Sequence, residues 1–351
     1  MNQRYLCGSK KDFWDFVNLI SKEEKIGIIT HTDLDGVASG IFLQNILEEN
    51  ELKVNFIEFL DYSTDSLKEI LDKEFDVLFF TDWRIDMDIN LLNLFRENSK
   101  VLVFDHHPIN KDLKNKKGII KTADEYCSAH ALFDLAKEKN YFFVKDFEWL
   151  VCSAIIMDYV WDNKENIDFL KIYYPEIDLR DIWKYEPGRI AQRISDALIY
   201  YYPNIKKVYD LVLEKDLEKL KEFSKIISKE ISLWMRNFKE DSEYFPEQNL
   251  YFFYGSPKYK ITSKITSFLS KNSYCDKIIL FASDILDKKG FVKISARTQR
   301  ENIHLGEVLQ NCIKGFENAV AGGHAKASGA SFPKKYLENF KENLLRELKN
   351  G

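Results

Sequence analysis

Through the first 160 positions, short apolar runs alternate with amphipathic stretches. Ile26–Thr30 is β-branched and follows charged Glu23, Glu24 and Lys25, so it reads as a buried strand. Gly27 within it permits a close backbone approach. Past a turn at Gly36, Val37, Ile41, Leu43, Ile46 and Leu47 recur at helical spacing. Further strands are expected at Val54–Phe59, 75–80 and 100–104, and helices at 10–22, 63–71, 91–97 and 128–137. Residues 149–160 read as a buried helix or strand. Strands alternating with helices predict βαβ units and a parallel sheet.

The pattern changes between Asp162 and Asn249, where strand signals vanish. Residues 206–238 are charged and helical, with an apolar stripe that includes Val208, Leu211, Leu220, Phe223, Ile227 and Trp234. The stripe either packs on its own domain or meets a partner. Strands return at 250–254, 277–282 and 291–296, followed by a helix at 304–312. The glycine-rich AVAGGHAKASGASFP and a terminal helix from about Lys335 close the chain. The expected architecture is α/β, with a parallel-sheet domain at 1–185, a helical connector at 186–248 and a smaller α/β domain at 249–351.

A 351-residue chain that is 45% hydrophobic can build two cores. No apolar run approaches the ~18 residues of a membrane span. The N-terminal MNQRYLCGSKKDFWDF lacks a signal-peptide core. Cys7, Cys127, Cys152, Cys275 and Cys312 are odd in number and lack CxxC spacing, which argues for reduced thiols in a cytoplasmic setting. A net charge of −5 argues against coating long nucleic acid. Residues 251–351 nevertheless hold 17 Lys and Arg against 9 Asp and Glu, while the rest hold 34 against 47. That split fits either an acidic part for cations with a basic part for phosphates, or plain surface lysine on helices.

Four strand or core ends carry acidic or imidazole groups: His31, Asp33 and Asp35; Asp82; Asp105, His106 and His107; and Asp158. Such ends are where open α/β sheets bind ligands. One aspartate alone serves a cap or a turn. Together these carboxylates would repel one another unless cations compensated. The oxygen-rich His/Asp set suits two ions of Mn²⁺ or Mg²⁺ better than thiolate-bound Zn²⁺.

HTDLDG at 31–36, Asp82, DHH at 105–107 and Asp158 resemble, in order and spacing, the four motifs of the DHH phosphoesterase superfamily. AGGHAKASGA at 321–330, with Ser295-Ala296-Arg297 upstream, resembles that family's substrate-binding domain. The resemblance spans nearly the whole chain. It implies that His31 and Asp33 bind one metal, that Asp35, His106 and Asp158 bind another, and that Asp82 bridges them. Asp105 would orient an imidazole through its ring N–H, and His107 would face the scissile phosphate. Ser295, Arg297, Gly322, Gly323, His324 and Lys326 would meet the substrate.

The implied activity is a cytoplasmic, manganese-dependent exonuclease that takes short single-stranded RNA or DNA to mononucleotides. Rival readings are a RecJ-like exonuclease of long single-stranded DNA, a cyclic-dinucleotide or small-nucleotide phosphatase, and an inactive replication scaffold. No membrane partner is expected, whereas a homodimer or a replication or repair partner stays open. Tyr159-Val160-Trp161 departs from the Thr-Gly that follows Asp158 in many relatives. Arg84 reads as a phosphate contact or a surface ion pair, and Ser128 as a phosphate contact at a helix start. His130 and His304 read as structural, and Asp86 finds no role.

Overall fold

The computed structural model describes residues 4–62, 64–109, 117–286 and 288–350. It divides into two units, Met1–Ser224 and Lys225–Gly351. In the first, strands β1 (Tyr5–Cys7), β2 (Ile26–Thr30), β3 (Val54–Phe59), β4 (Val77–Thr81), β5 (Lys100–Asp105) and β6 (Ile119–Thr122) form one sheet in the order β1-β6-β5-β4-β2-β3. Strands β2 to β6 run parallel, and β1 pairs antiparallel with β6. Ile28, Phe79 and Leu102 enter one core, while their neighbours Ile29, Phe80 and Val103 enter a second. Both sheet faces are therefore covered, which is why these strands read as continuous apolar runs.

Strand β2 lies between β3 and β4, so successive connections leave it in opposite directions. Doubly wound sheets bind ligands at this switch point, beyond the carboxyl ends of the strands. Thr30 is level with Thr81, and Thr81 with Phe104. His31, Asp82 and Asp105 consequently stand side by side where β2, β4 and β5 end.

Several expected elements change. The first helix ends at Val17, and the 149–160 segment is the helix Glu148–Met157. Residues 206–238 form two helices, Lys206–Leu213 and Leu217–Asp241, broken at Lys215 with φ +59°. The apolar stripe is taken up within the chain. Phe223 packs 4.7 Å from the Tyr200 ring, and Trp234 lies 6.1 Å from Phe281.

In the second unit, β7 (Glu243–Phe245), β8 (Leu250–Gly255), β9 (Ile278–Asp284), β10 (Phe291–Thr298), β11 (Val320–Gly323) and β12 (Ala327–Pro333) form a sheet ordered β11-β12-β10-β9-β8-β7. Its β8–β9 pair is parallel and its other described pairs are antiparallel. The glycine-rich stretch is the β11–β12 hairpin. Gly323 has φ +136°, and a Cβ there would stand 2.5 Å from the Ala327 oxygen. Helix Thr262–Asn272, which the pattern did not reveal, packs on β9 and β10. Among the described residues, no helix is long and apolar enough to cross a membrane. Cys7, Cys127, Cys152 and Cys312 carry buried thiols, and Cys275 an exposed one.

Candidate metal centre

The β2 end supplies three groups. Asp33 caps the helix Leu34–Glu49, its Oδ1 accepting from the Gly36 amide at 3.0 Å. Its other oxygen, Oδ2, lies 2.9 Å from His31 Nδ1. A Cβ on Gly36 would stand 2.2 Å from the His31 oxygen, so this turn requires glycine. Asp35, fully buried, accepts from the Ser128 amide at 2.7 Å and the Ala129 amide at 2.8 Å. These are the first amides of helix Ser128–Glu138, whose positive end favours an anion. The Ser128 amide thus serves Asp35, while the Ser128 hydroxyl is buried without a hydrogen bond.

Asp82 follows β4 with φ +51°, a left-handed conformation that aspartate enters more readily than most residues. Its amide donates to the Phe104 oxygen at 3.0 Å. Both carboxylate oxygens are buried and accept no hydrogen bond. His106 Nε2 stands 3.3 Å from Oδ1, and His31 Nδ1 stands 3.8 Å from Oδ2. Asp158, at the carboxyl end of helix Glu148–Met157, places a buried Oδ2 3.7 Å from His106 Nε2. His106 Nε2 is also 3.9 Å from Asp35 Oδ2.

Three sets of potential ligand atoms each fall within 4.8 Å: His31, Asp33 and Asp82; Asp82, Asp105, His106 and His107; and Asp35, Cys127 and Asp158. Asp82 belongs to two of them. Burial, with repulsion from the neighbouring carboxylates, pushes the Asp82 and Asp158 carboxyls well above their ordinary range and raises Asp35. Burial also opposes ionisation of Asp33, but the His31 charge outweighs it and holds Asp33 low. Burial alone would lower His31, and Asp33 overrides it upward. A cluster that cannot ionise fully by itself, with orphaned buried oxygens pointing inward, fits hard divalent cations.

The DHH segment joins a network whose Lys121, Asp86 and Tyr62 members sequence reasoning missed. Asp105 Oδ1 lies 2.8 Å from His107 Nδ1. Its Oδ2 accepts from Lys121, a fully buried lysine that also stands 2.8 Å from Asp86. Burial would raise the Asp105 pKa, but Lys121 and then His107 hold it below the carboxylate range. An ionised carboxylate only accepts, so Nδ1 carries the His107 proton. The opposite nitrogen, Nε2, meets the Tyr62 hydroxyl at 2.9 Å. The Tyr62 ring stacks on His31 with centroids 4.2 Å apart, and exposed Arg84 sits 4.6 Å from its centroid. A lysine inside the apolar run of β6 was the available sequence signal; Tyr62 left none.

In the second unit, Ser295 and Arg297 share one face of β10, against helix Thr262–Asn272. Ser295 Oγ bonds Thr266 Oγ1 at 2.9 Å, and Arg297 donates to Ser263, Ser267 and the Ala296 oxygen at 2.8–3.1 Å. Gly322 pairs with Gly329, which pairs in turn with Ser295, so the three stand in a row across β11, β12 and β10. Gly323 pairs with Ser328, and the space above Gly322 is open. His324 is exposed at the hairpin turn, its amide donating to Ala327, and Lys326 lies 3.6 Å from Glu301. His130 is buried with Nδ1 2.8 Å from Asn166, and His304 caps the helix Leu305–Cys312.

A doubly wound α/β unit with a carboxylate–imidazole centre at its switch point, followed by a mixed-sheet unit, defines a two-unit α/β protein whose first unit could hold metal. Residues 25–169 match the DHH family, N-terminal domain, and residues 256–350 match the DHHA1 domain. The chain belongs to the DHH superfamily of phosphoesterases and carries its C-terminal DHHA1 domain. Its fold is similar to a crystal structure of exonuclease RecJ bound to manganese, with 17% identity, a TM-score of 0.76 and coverage of 99% of this chain and 95% of that one. RecJ from Thermus thermophilus in complex with Mn²⁺ matches at 16% identity and a TM-score of 0.74, over 97% of this chain but 55% of that one. CDC45 from Entamoeba histolytica matches at 14% identity and a TM-score of 0.63, over 97% and 98% of the two chains. No curated protein matches the chain in sequence.

Proposed function

We propose that the protein is a manganese-dependent phosphodiesterase that removes mononucleotides from short single-stranded oligonucleotides in the cytoplasm. The observation that carries this reading is Asp82, with two buried, unbonded oxygens facing His31 on one side and His106 on the other. His31, Asp33 and Asp82 would hold one ion; Asp82, Asp35, His106 and Asp158 would hold a second. Bound there, such a pair activates water and stabilises charge developing on phosphoryl oxygens. Asp33 keeps one oxygen on the helix cap and leaves the other for a cation. His107, oriented by Asp105, would turn Nε2 from the Tyr62 hydroxyl to the leaving oxygen and, when both ring nitrogens carry protons, donate the Nε2 proton to it.

The second unit supplies substrate binding. The open backbone at Gly322, next to the tightly turned Gly323, admits a phosphate closely. Arg297, with Ser295 beside it, offers a fork to that phosphate, while His324 and Lys326 add polar contacts at the hairpin turn. The similarity to RecJ supports a second reading, steady degradation of long single-stranded DNA.

The deciding experiment is Mn²⁺-dependent hydrolysis of a 5′-labelled ladder of RNA and DNA, from dinucleotides to long single strands. The account expects turnover to fall sharply beyond a few nucleotides. Steady degradation of the long strands would replace it with the RecJ-like reading. No turnover of any length, with metal bound, would refute both.

A further inference from the structure

Three aromatic rings gather just past Asp158. Tyr159 is the next residue, its Cα about 3.8 Å from that of Asp158. Its ring centroid lies 5.2 Å from Trp161 and 5.8 Å from Trp183, which belongs to the short 3₁₀ helix Leu179–Lys184. Trp161 and Trp183 are 6.1 Å apart and nearly perpendicular. Trp161 leans on the core, but Tyr159 is 56% exposed and Trp183 36%. The cluster therefore presents two neighbouring aromatic rings, Tyr159 and Trp183, to solvent around a third that is anchored on the core.

The backbone fixes where this cluster begins. Tyr159 has φ +60° at the residue that closes helix Glu148–Met157, where its amide donates to the Ile156 oxygen at 3.2 Å and the Val160 amide donates to the Ile155 oxygen at 3.2 Å. The turn that ends the helix thus carries the Tyr159 ring on the residue next to Asp158.

We propose that Tyr159 and Trp183, braced by Trp161, form a stacking platform for a nucleobase of the substrate whose phosphodiester occupies the carboxylate–imidazole centre. The proposal rests on the oligonucleotide reading above and narrows it. Continuity with Asp158 limits the occupant to a group tethered close to the reacting phosphate. On a single strand, that group is a base. Every base has a π face, so the platform tolerates sequence but requires an aromatic ring on the substrate.

The test compares a short single-stranded oligonucleotide with an abasic oligonucleotide of equal length, under Mn²⁺, for wild type, Tyr159→Gly, Tyr159→Phe and Trp183→Ala. Glycine relaxes at φ +60°, so Tyr159→Gly is expected to fold, and thermal unfolding checks this. We expect KM for the base-bearing strand to rise about tenfold in Tyr159→Gly and Trp183→Ala, with Tyr159→Phe restoring it. The preference of wild type for the base-bearing strand should disappear in both truncated variants. An unchanged preference, or an equal rise for the two substrates, would overturn the platform. A wild type that cleaves neither strand would overturn the oligonucleotide reading itself, before any variant is compared.

Discussion

Asp82 and His130 show how burial has opposite consequences for two titratable residues of one unit. Asp82 is buried among carboxylates with no donor to its oxygens, an arrangement that stores electrostatic repulsion until a cation arrives. His130 is buried beside Asn166 and remains neutral, its pKa depressed from an ordinary 6.5 to about 4, chiefly by burial. Between those values the unfolded chain binds a proton that the folded chain refuses. Stability from this group is therefore complete above pH 6.5 and falls as pH drops toward 4, by on the order of 3 kcal/mol. His130→Gln removes the titration. Urea unfolding at pH 7, 5.5 and 4.5 should show the wild type losing stability relative to the variant as pH falls. A difference that did not change with pH would contradict the neutral, buried state.

Strand pairing, not chain proximity, builds the support beneath the DHH segment. The β5–β6 register sets Asp105 opposite Lys121, and Asp86 approaches the same ammonium. All three side chains are fully buried, so removing the cation takes from both carboxylates the ammonium that offsets their charge. Lys121→Met should destabilise the protein by about 3–5 kcal/mol in urea unfolding. Adding Asp86→Asn and Asp105→Asn should recover most of that loss; failure to recover it would show that Lys121 matters by packing alone. The same contrast explains what was legible in the sequence. Strands β2, β4 and β5 were readable because burial on both faces makes them near-continuous apolar runs, whereas β3 at the sheet edge was readable from its interspersed apolar residues. The ligand candidates from His31 to Asp158 were readable because each closes such a run. Strands β1 and β6 are short, and β6 carries a lysine whose burial depends on a register no local pattern encodes. β11 and β12 were hidden by glycines and small residues that weaken strand propensity. Tyr62 reaches His107 through loop placement, which periodicity does not report.

At the scale of the molecule, the two units divide the proposed work along the line of the charge split. The first collects carboxylates and imidazoles at one sheet edge. The second, within the basic last hundred residues, carries Ser295 and Arg297 on β10, with Ser295 across β12 from the open Gly322 of β11. If the second unit acts by binding, Arg297→Ala and His324→Ala should raise KM more than they lower kcat in steady-state hydrolysis of a short oligonucleotide. A pure kcat loss in both would move them into the chemical step. The central claim concerns the first unit: that its buried carboxylate–imidazole cluster is a two-cation centre bridged by Asp82. The most direct test is equilibrium binding of Mn²⁺ to the purified, metal-free chain, with stoichiometry read by electron paramagnetic resonance of the free ion. The account predicts two ions per chain in wild type, and severe weakening of both, with loss of hydrolysis, in Asp82→Asn. Binding of no ions, or of two ions with undiminished affinity in Asp82→Asn, would contradict it.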